Sequence, residues 1–266
     1  MKLKRYNRAV RREYYLIAGL VAALQLTACG GGQLGATETL APSPIPSTVI
    51  PADTATPSPQ PETPVSAICT PLAEHEISEM LLLYLTQAFS PPLGANKETG
   101  HHGLDFAYYH GGPNDDHIQG TPIQSVLDAV VVGMGYNAVY GYYLITETPF
   151  SHLPTELAEL YEATLDESLY LLYAHMQQPA PFALEAELAC GQVVGRVGDS
   201  GDRYFLTDPH LHFETRVGAH GLRPGPMAYY APNATAEERA NYELWRTSDT
   251  FRLSDPTLLL SYAGQP

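Results

Sequence analysis

Positive charge is scarce in this chain. Its 266 residues hold 14 Lys and Arg against 29 Asp and Glu, a formal charge of −15. Six of those cations sit in the first twelve residues, MKLKRYNRAVRR, so a chain lacking residues 1–28, which also contain Glu13, carries −20. Nucleic-acid phosphates and anionic lipid both repel so acidic a polymer, which excludes nucleic acid as a partner. Cysteine is scarcer still. Only Cys29, Cys69 and Cys190 occur, without the paired spacing of a zinc knuckle. No apolar run approaches the 20 or so residues that span a bilayer. The best candidate, Tyr14 to Leu24, is shorter and is followed by Gln25. There is also no H-E-x-x-H pair, so a glutamate base of that kind is absent.

What is present begins with an export signal. A basic head, a short apolar stretch and small residues at Leu26-Thr27-Ala28-Cys29 follow in the order of a secretory leader. The last four residues resemble a bacterial lipobox, which implies a signal peptide over 1–28, cleavage before Cys29 and lipid on that cysteine. An uncleaved membrane anchor is the alternative. Residues 29–66 are dominated by Pro, Thr, Ser, Ala and Gly. Such a composition cannot bury enough apolar surface to offset chain entropy, so a disordered tether is expected. The folded domain then occupies 67–266. In an exported chain its two cysteines, Cys69 and Cys190, are expected to pair.

The domain is organised around Asp208-Pro-His-Leu-His-Phe-Glu214. As a β-strand this stretch places His210 and His212 on one face and Leu211 and Phe213 on the other. The pattern suits a metal or catalytic site, but taken alone it is more often a pair of surface or hydrogen-bonded histidines. Upstream, Gly100-His-His-Gly-Leu-Asp-Phe106 holds His101 and Asp105 four residues apart. Gly100 and Gly103 argue against a helix, and a fully extended chain would separate the two side chains by about 13 Å. A bend at Gly103 brings them together. Imidazole nitrogen and carboxylate oxygen are zinc ligands, and a carboxylate between Leu104 and Phe106 needs a partner.

H-x-G-L-D followed by PHLHFE resembles the lysostaphin/LytM-type zinc metallopeptidases that cut peptidoglycan cross-links. GTPIQSVLDAVVVGMG (120–135), LYAHM (172–176) and CGQVVGRVGDSG (190–201) are similar to further pieces of that family, in the same order, and RLSDPTLLL (252–260) resembles its closing segment. The likeness covers about 95–217. It implies a mainly β domain, an open antiparallel sheet or sandwich with a groove. It implies His101, Asp105 and His212 as ligands of one Zn2+, with His175 and His210 as the catalytic histidines. Three protein ligands leave a zinc position open for water, and two imidazoles can move its proton. Which of the two is the base stays open.

The remaining histidines read as structural. His102 points away from the metal, His152 and His220 lie at the surface, and His110 and His117 belong to a turn-rich loop, solvated rather than cation-binding. Two insertions depart from the family. One, about 147–167, has a short helix after Pro154 and forms a groove wall or partly covers the site. The other, about 219–250, has a Thr235-x-x-Glu238 capping box opening a helix with Tyr242, Leu244 and Trp245. A third helix is expected over Ile77 to Gln87, whose apolar residues at 77, 80, 81, 84 and 85 form one stripe. Together these features imply a monomeric zinc endopeptidase acting on peptidoglycan peptides, lipid-anchored outside the cytoplasm. The competing readings are a non-catalytic activator of cell-wall amidases and a metalloprotease acting on a non-wall protein.

Overall fold

The computed structural model of the chain describes residues 67–107, 118–201 and 208–264. The leader, Cys29, the tether, His110, His117 and most of the 202–209 loop lie outside them.

Four long antiparallel strands make the body: β4 (Ala129–Asn137), β5 (Gly141–Pro149), β6 (Glu167–Met176) and β9 (Leu211–Ala219). Shorter strands extend this sheet: β1 (Leu85–Gln87) and β2 (Leu104–Phe106) on one side, β7 (Glu187–Leu188) on the other. The order is β1-β2-β9-β6-β5-β4-β7, with β10 (Arg252–Ser254) also pairing with β9. Every pairing is antiparallel. Strands β3 (Pro122–Gln124) and β8 (Val193–Arg196) form a separate two-stranded sheet. The expected mainly β open sheet is therefore what the chain forms, with four short α-helices among the described residues.

Both faces of the sheet are covered, which explains why β6 reads as a continuous apolar run instead of an alternating one. Leu169, Leu171 and Tyr173 enter one buried cluster with Leu211, Phe213 and Val217 of β9. Tyr170, Leu172 and Ala174 enter the other, with Trp245, Tyr242 and Phe251. The second cluster is roofed by α3 (Ala236–Arg246), the helix of the 219–250 insertion. Its capping box forms as read: the Thr235 hydroxyl accepts from Glu238 N at 3.1 Å, and the Glu238 carboxylate accepts from Thr235 N at 2.7 Å.

Two expectations need correction. The helix placed over 77–87 is only α1 (Ile77–Glu79), a single π-helical turn from Met80 to Tyr84 continues it, and Leu85–Gln87 is strand β1. The apolar stripe does pack on the core, with Met80 fully buried, but β2 offers residues 85–87 a strand edge to pair with, and that tertiary pairing overrides helix propensity. The 147–167 insertion does form the helix expected after Pro154, α2 (Thr155–Leu160). It lies, however, where β5 ends and β6 begins, packed on α4 (Thr257–Ala263). His175 is at the opposite end of β6, eight residues from Glu167 and so some 25 Å away along the strand. The insertion neither walls nor covers the site.

Cys69 and Cys190 are bonded, joining the start of the described chain to the turn before β8 across 121 residues. Closing so long a loop stabilises by roughly 4–5 kcal/mol in the chain-entropy account. Unreduced peptide mapping will recover 69 and 190 in one cross-linked species, and reduction will lower the melting temperature by several degrees. Two alkylatable thiols at these positions in folded, unreduced protein would contradict the pairing.

Candidate metal centre

The site grows from the two-residue period of β9. His210, at the strand's entrance, and His212, Glu214 and Arg216 along it follow one another at alternate positions, opposite Leu211, Phe213 and Val217. All four are buried. β2 lies alongside with Asp105 directly opposite His212. His101 precedes β2 and is held by a bridge to Ser90. The chain bends at Gly103, as the spacing required. The reason for glycine there is space: a Cβ would stand 2.4 Å from the Phe213 carbonyl and 3.0 Å from the His212 ring.

Three donor atoms converge. Asp105 Oδ1 is 3.0 Å from His101 Nε2 and 2.7 Å from His212 Nδ1, and the two nitrogens are 3.2 Å apart. Imidazole nitrogen and carboxylate oxygen are zinc ligands, and these three atoms lie close enough together to hold one ion. Each ligand is oriented from behind. His101 Nδ1–H donates to the Ala88 carbonyl at 3.0 Å, which leaves Nε2 as its metal-facing nitrogen. His212 donates Nε2–H to Glu214 Oε1 at 3.0 Å, which leaves Nδ1. A carboxylate behind a ligand imidazole fixes its tautomer and raises its basicity. Burial opposes the His212 imidazolium, yet the hydrogen bonds to Asp105 and Glu214 outweigh it and push its pKa up to about 9. Burial also opposes the Asp105 carboxylate, and the His101 and His212 rings against it overcome that, holding the group well below the usual range.

His175 and His210 stand beside this cluster with ring centroids 4.3 Å apart. His175 is brought there by a β-bulge. Between the pairs Tyr142↔Met176 and Leu144↔Tyr173, β6 has one residue more than β5, and His175 carries a φ of +60°. This bulge turns it toward His210 and His212. The turn at 137–141 supports it: His175 N donates to the Tyr140 carbonyl at 2.8 Å, and His175 Nδ1–H donates to the Ser200 carbonyl at 2.8 Å. Gly141, at φ +59°, lets the Ser200 backbone cross closely, since a Cβ would meet its carbonyl at 2.1 Å. His210 is oriented alike, donating Nδ1–H to the Asp208 carbonyl at 2.9 Å, with Nε2 3.7 Å from Asp105 Oδ1. Burial, then the neighbouring His210 and His212, push the His175 pKa down to about 3, and burial pulls His210 down as well. Both rings are neutral at neutral pH, with Nε2 as the proton-accepting nitrogen.

Sequence reading missed the layer behind the ligands. Glu214 is completely buried. It accepts from Tyr140 at 2.8 Å, from Arg216 at 2.9 and 3.0 Å, and from the Trp245 indole at 3.2 Å. Burial disfavours its charge, but the Arg216 guanidinium and His212 hold its pKa well below the ordinary value. His102 does point away from the ligand cluster, as expected. It is buried all the same, and its Nδ1 accepts from Arg216 at 3.0 Å while burial and the nearby Arg246 charge lower its pKa to about 4. The one signal available beforehand was the position of Glu214 and Arg216 on the His210–His212 face. A cavity of about 900 Å³ lined by Asp128, Glu147, Asp166, Glu185 and Arg223 lies at the far end of the sheet and holds none of these groups.

A His-Asp-His cluster, buried at Asp105 and His212 and half-buried at His101, with two neutral histidines beside it has the donor set of a catalytic zinc centre. Residues 99–224 match the model of Peptidase family M23, and the chain carries an M23 domain over that stretch. The resemblance read from the motifs is borne out at that level. Over 142 residues the chain is 27% identical to the DD-carboxypeptidase/endopeptidase Mpg of Neisseria meningitidis serogroup B and 26% identical to that of Neisseria gonorrhoeae, in each case 53% of this chain and 26% of the relative. The chain thus spans about a quarter of the length of these curated relatives. Among solved structures, the catalytic domain of lysostaphin from Staphylococcus simulans is 19% identical, with 71% of this chain and 99% of that one covered at a TM-score of 0.38.

Metal analysis of the purified protein will find one zinc per chain, and Asp105→Ala and His212→Ala will each lose most of it. A folded Asp105→Ala protein that keeps a full equivalent would remove Asp105 from the ligand set.

Proposed function

We propose that this domain is a zinc-dependent endopeptidase that hydrolyses peptide bonds in peptidoglycan stem peptides or cross-links. The observation that carries the reading is the meeting of all five residues, His101, Asp105, His212, His175 and His210, at one place. Held by His101, Asp105 and His212, zinc would supply a Lewis acid for the scissile carbonyl and acidify a water beside it. The chain's own part is proton transfer. With Nδ1–H of both His175 and His210 committed to backbone carbonyls, each presents Nε2 as an acceptor. One takes the proton of the attacking water. The imidazolium so formed can donate to the developing oxyanion or pass the proton to the leaving amine. Family membership and the relatives named as a DD-carboxypeptidase/endopeptidase support peptidoglycan as the substrate.

His175→Ala and His210→Ala should each lower kcat on purified peptidoglycan by on the order of 10²-fold or more while keeping zinc and fold, because no metal bond is lost. Equal turnover in wild type and both variants would sink the catalytic assignment. A wild type that releases no muropeptide while both variants keep full biological activity would identify an amidase activator instead.

The reading extends to location, with the protein tethered outside the cytoplasm of a bacterium through lipid on Cys29 and acting as a monomer. The lipobox-like Leu26 to Cys29 and the Cys69–Cys190 bond, a bond of oxidising compartments, support the location. Acyl-chain labelling in the producing cell will mark the wild type and not Cys29→Ala. No label on the wild type would remove the anchor.

A further inference from the structure

The 219–250 insertion delivers one cation into the layer behind the ligands. Arg246 closes α3, and its side chain is only 12% exposed. Its Nε donates to Glu98 at 3.1 Å, and one of its terminal nitrogens donates to the Tyr140 hydroxyl at 3.1 Å and lies 3.6 Å from Glu214 Oε1. Glu98 stands three residues before His101, and Glu214 Oε1 is the atom that holds His212 Nε2. A single planar guanidinium therefore ties together the segments that present two of the three ligands. Trp245, the residue before it, donates to the other oxygen of the same carboxylate. Arginine suits this place because its fork of donors reaches several acceptors at fixed angles, which a lysine ammonium does not reproduce.

We infer that Arg246 is a positioning residue of the metal centre: through Glu214 and Glu98 it fixes where His212 and His101 aim their metal-facing nitrogens, so that zinc affinity depends on a helix that makes no contact with the metal. The inference rests on the zinc reading of His101, Asp105 and His212. Partners behind metal ligands typically contribute 10- to 100-fold to affinity.

The test is zinc affinity, measured by competition with a chromophoric chelator, in wild type, Arg246→Gln, Arg246→Lys, Glu214→Gln and the Arg246→Gln/Glu214→Gln double variant. Leu259→Ala, in the apolar cluster on the other face, serves as a control that lowers the melting temperature without touching the site. Arg246→Gln is expected to bind zinc 10- to 100-fold more weakly, Arg246→Lys to fall between it and wild type, and Leu259→Ala to match wild type. Because Arg246 acts largely through Glu214, the double variant should be weaker than Glu214→Gln by much less than the single loss at 246. Wild-type affinity in Arg246→Gln overturns the inference, and so does a loss in Leu259→Ala as large as that in Arg246→Gln. Should Arg246→Gln not fold, the Lys variant, which keeps the buried charge, decides by the same comparison. If the wild-type protein itself binds no zinc, the proposed function falls too, an outcome distinct from unchanged affinity in the variants alone.

Discussion

The carboxylate of Glu214 sets the terms for everything around it. A charge with no solvent contact costs several kcal/mol to bury and stays ionised only if matched on every side. Here the matching is complete. Arg216 covers one oxygen from along the same strand, Trp245 adds its indole, and Tyr140 and His212 converge on the other oxygen. Removing any one partner leaves part of that charge exposed to an apolar interior, so the partners are mutually obligatory. His212 cannot rotate without abandoning Glu214, and the α3 roof cannot lift without undressing it. The rigidity of the ligand cluster thus follows from electrostatics in a dry interior.

Strand geometry does the rest. On β9 the two-residue period gives each polar group a different place: His210 beside the ligand cluster, His212 within it, Glu214 behind, and Arg216 neutralising Glu214. The same period would have turned His175 of β6 away from this face. One extra residue in β6 and a backbone at φ +60° cancel that half-turn and bring His175 to within 4.3 Å of His210, centroid to centroid. A non-glycine residue in that conformation stores on the order of 1 kcal/mol of strain, sustained by the hydrogen bonds to Tyr140 and Ser200 on either side.

What could be read from the sequence was what is local and periodic. The shared face of His210 and His212, the bend between His101 and Asp105, and the cap at Thr235 each depend on residues within four positions of one another. What could not be read depends on partners distant along the chain. Arg246 meets Glu98 across 148 residues and Arg216 meets His102 across 114, and no spacing rule announces either contact. The β1 segment failed for a related reason. Residues 77–87 carry an apolar period that fits a helix, and only the edge presented by β2 makes 85–87 a strand. His175 could be chosen by its motif, but the bulge that aims it leaves no trace in composition or period.

The covalent link at Cys69 has a mechanical side. β1 is an edge strand, and the chain running from Cys69 through β1 leads directly to His101. Without that bond, tension on the preceding residues would fall on the noncovalent pairing of 69–73 with 122–126 and, once that gave way, on the β1–β2 edge beside His101. The bond to Cys190 hands the load instead to the turn before β8, on a part of the fold that carries no ligand. A pull on the leading chain is then borne by a covalent anchor, and the segment bearing His101 stays slack.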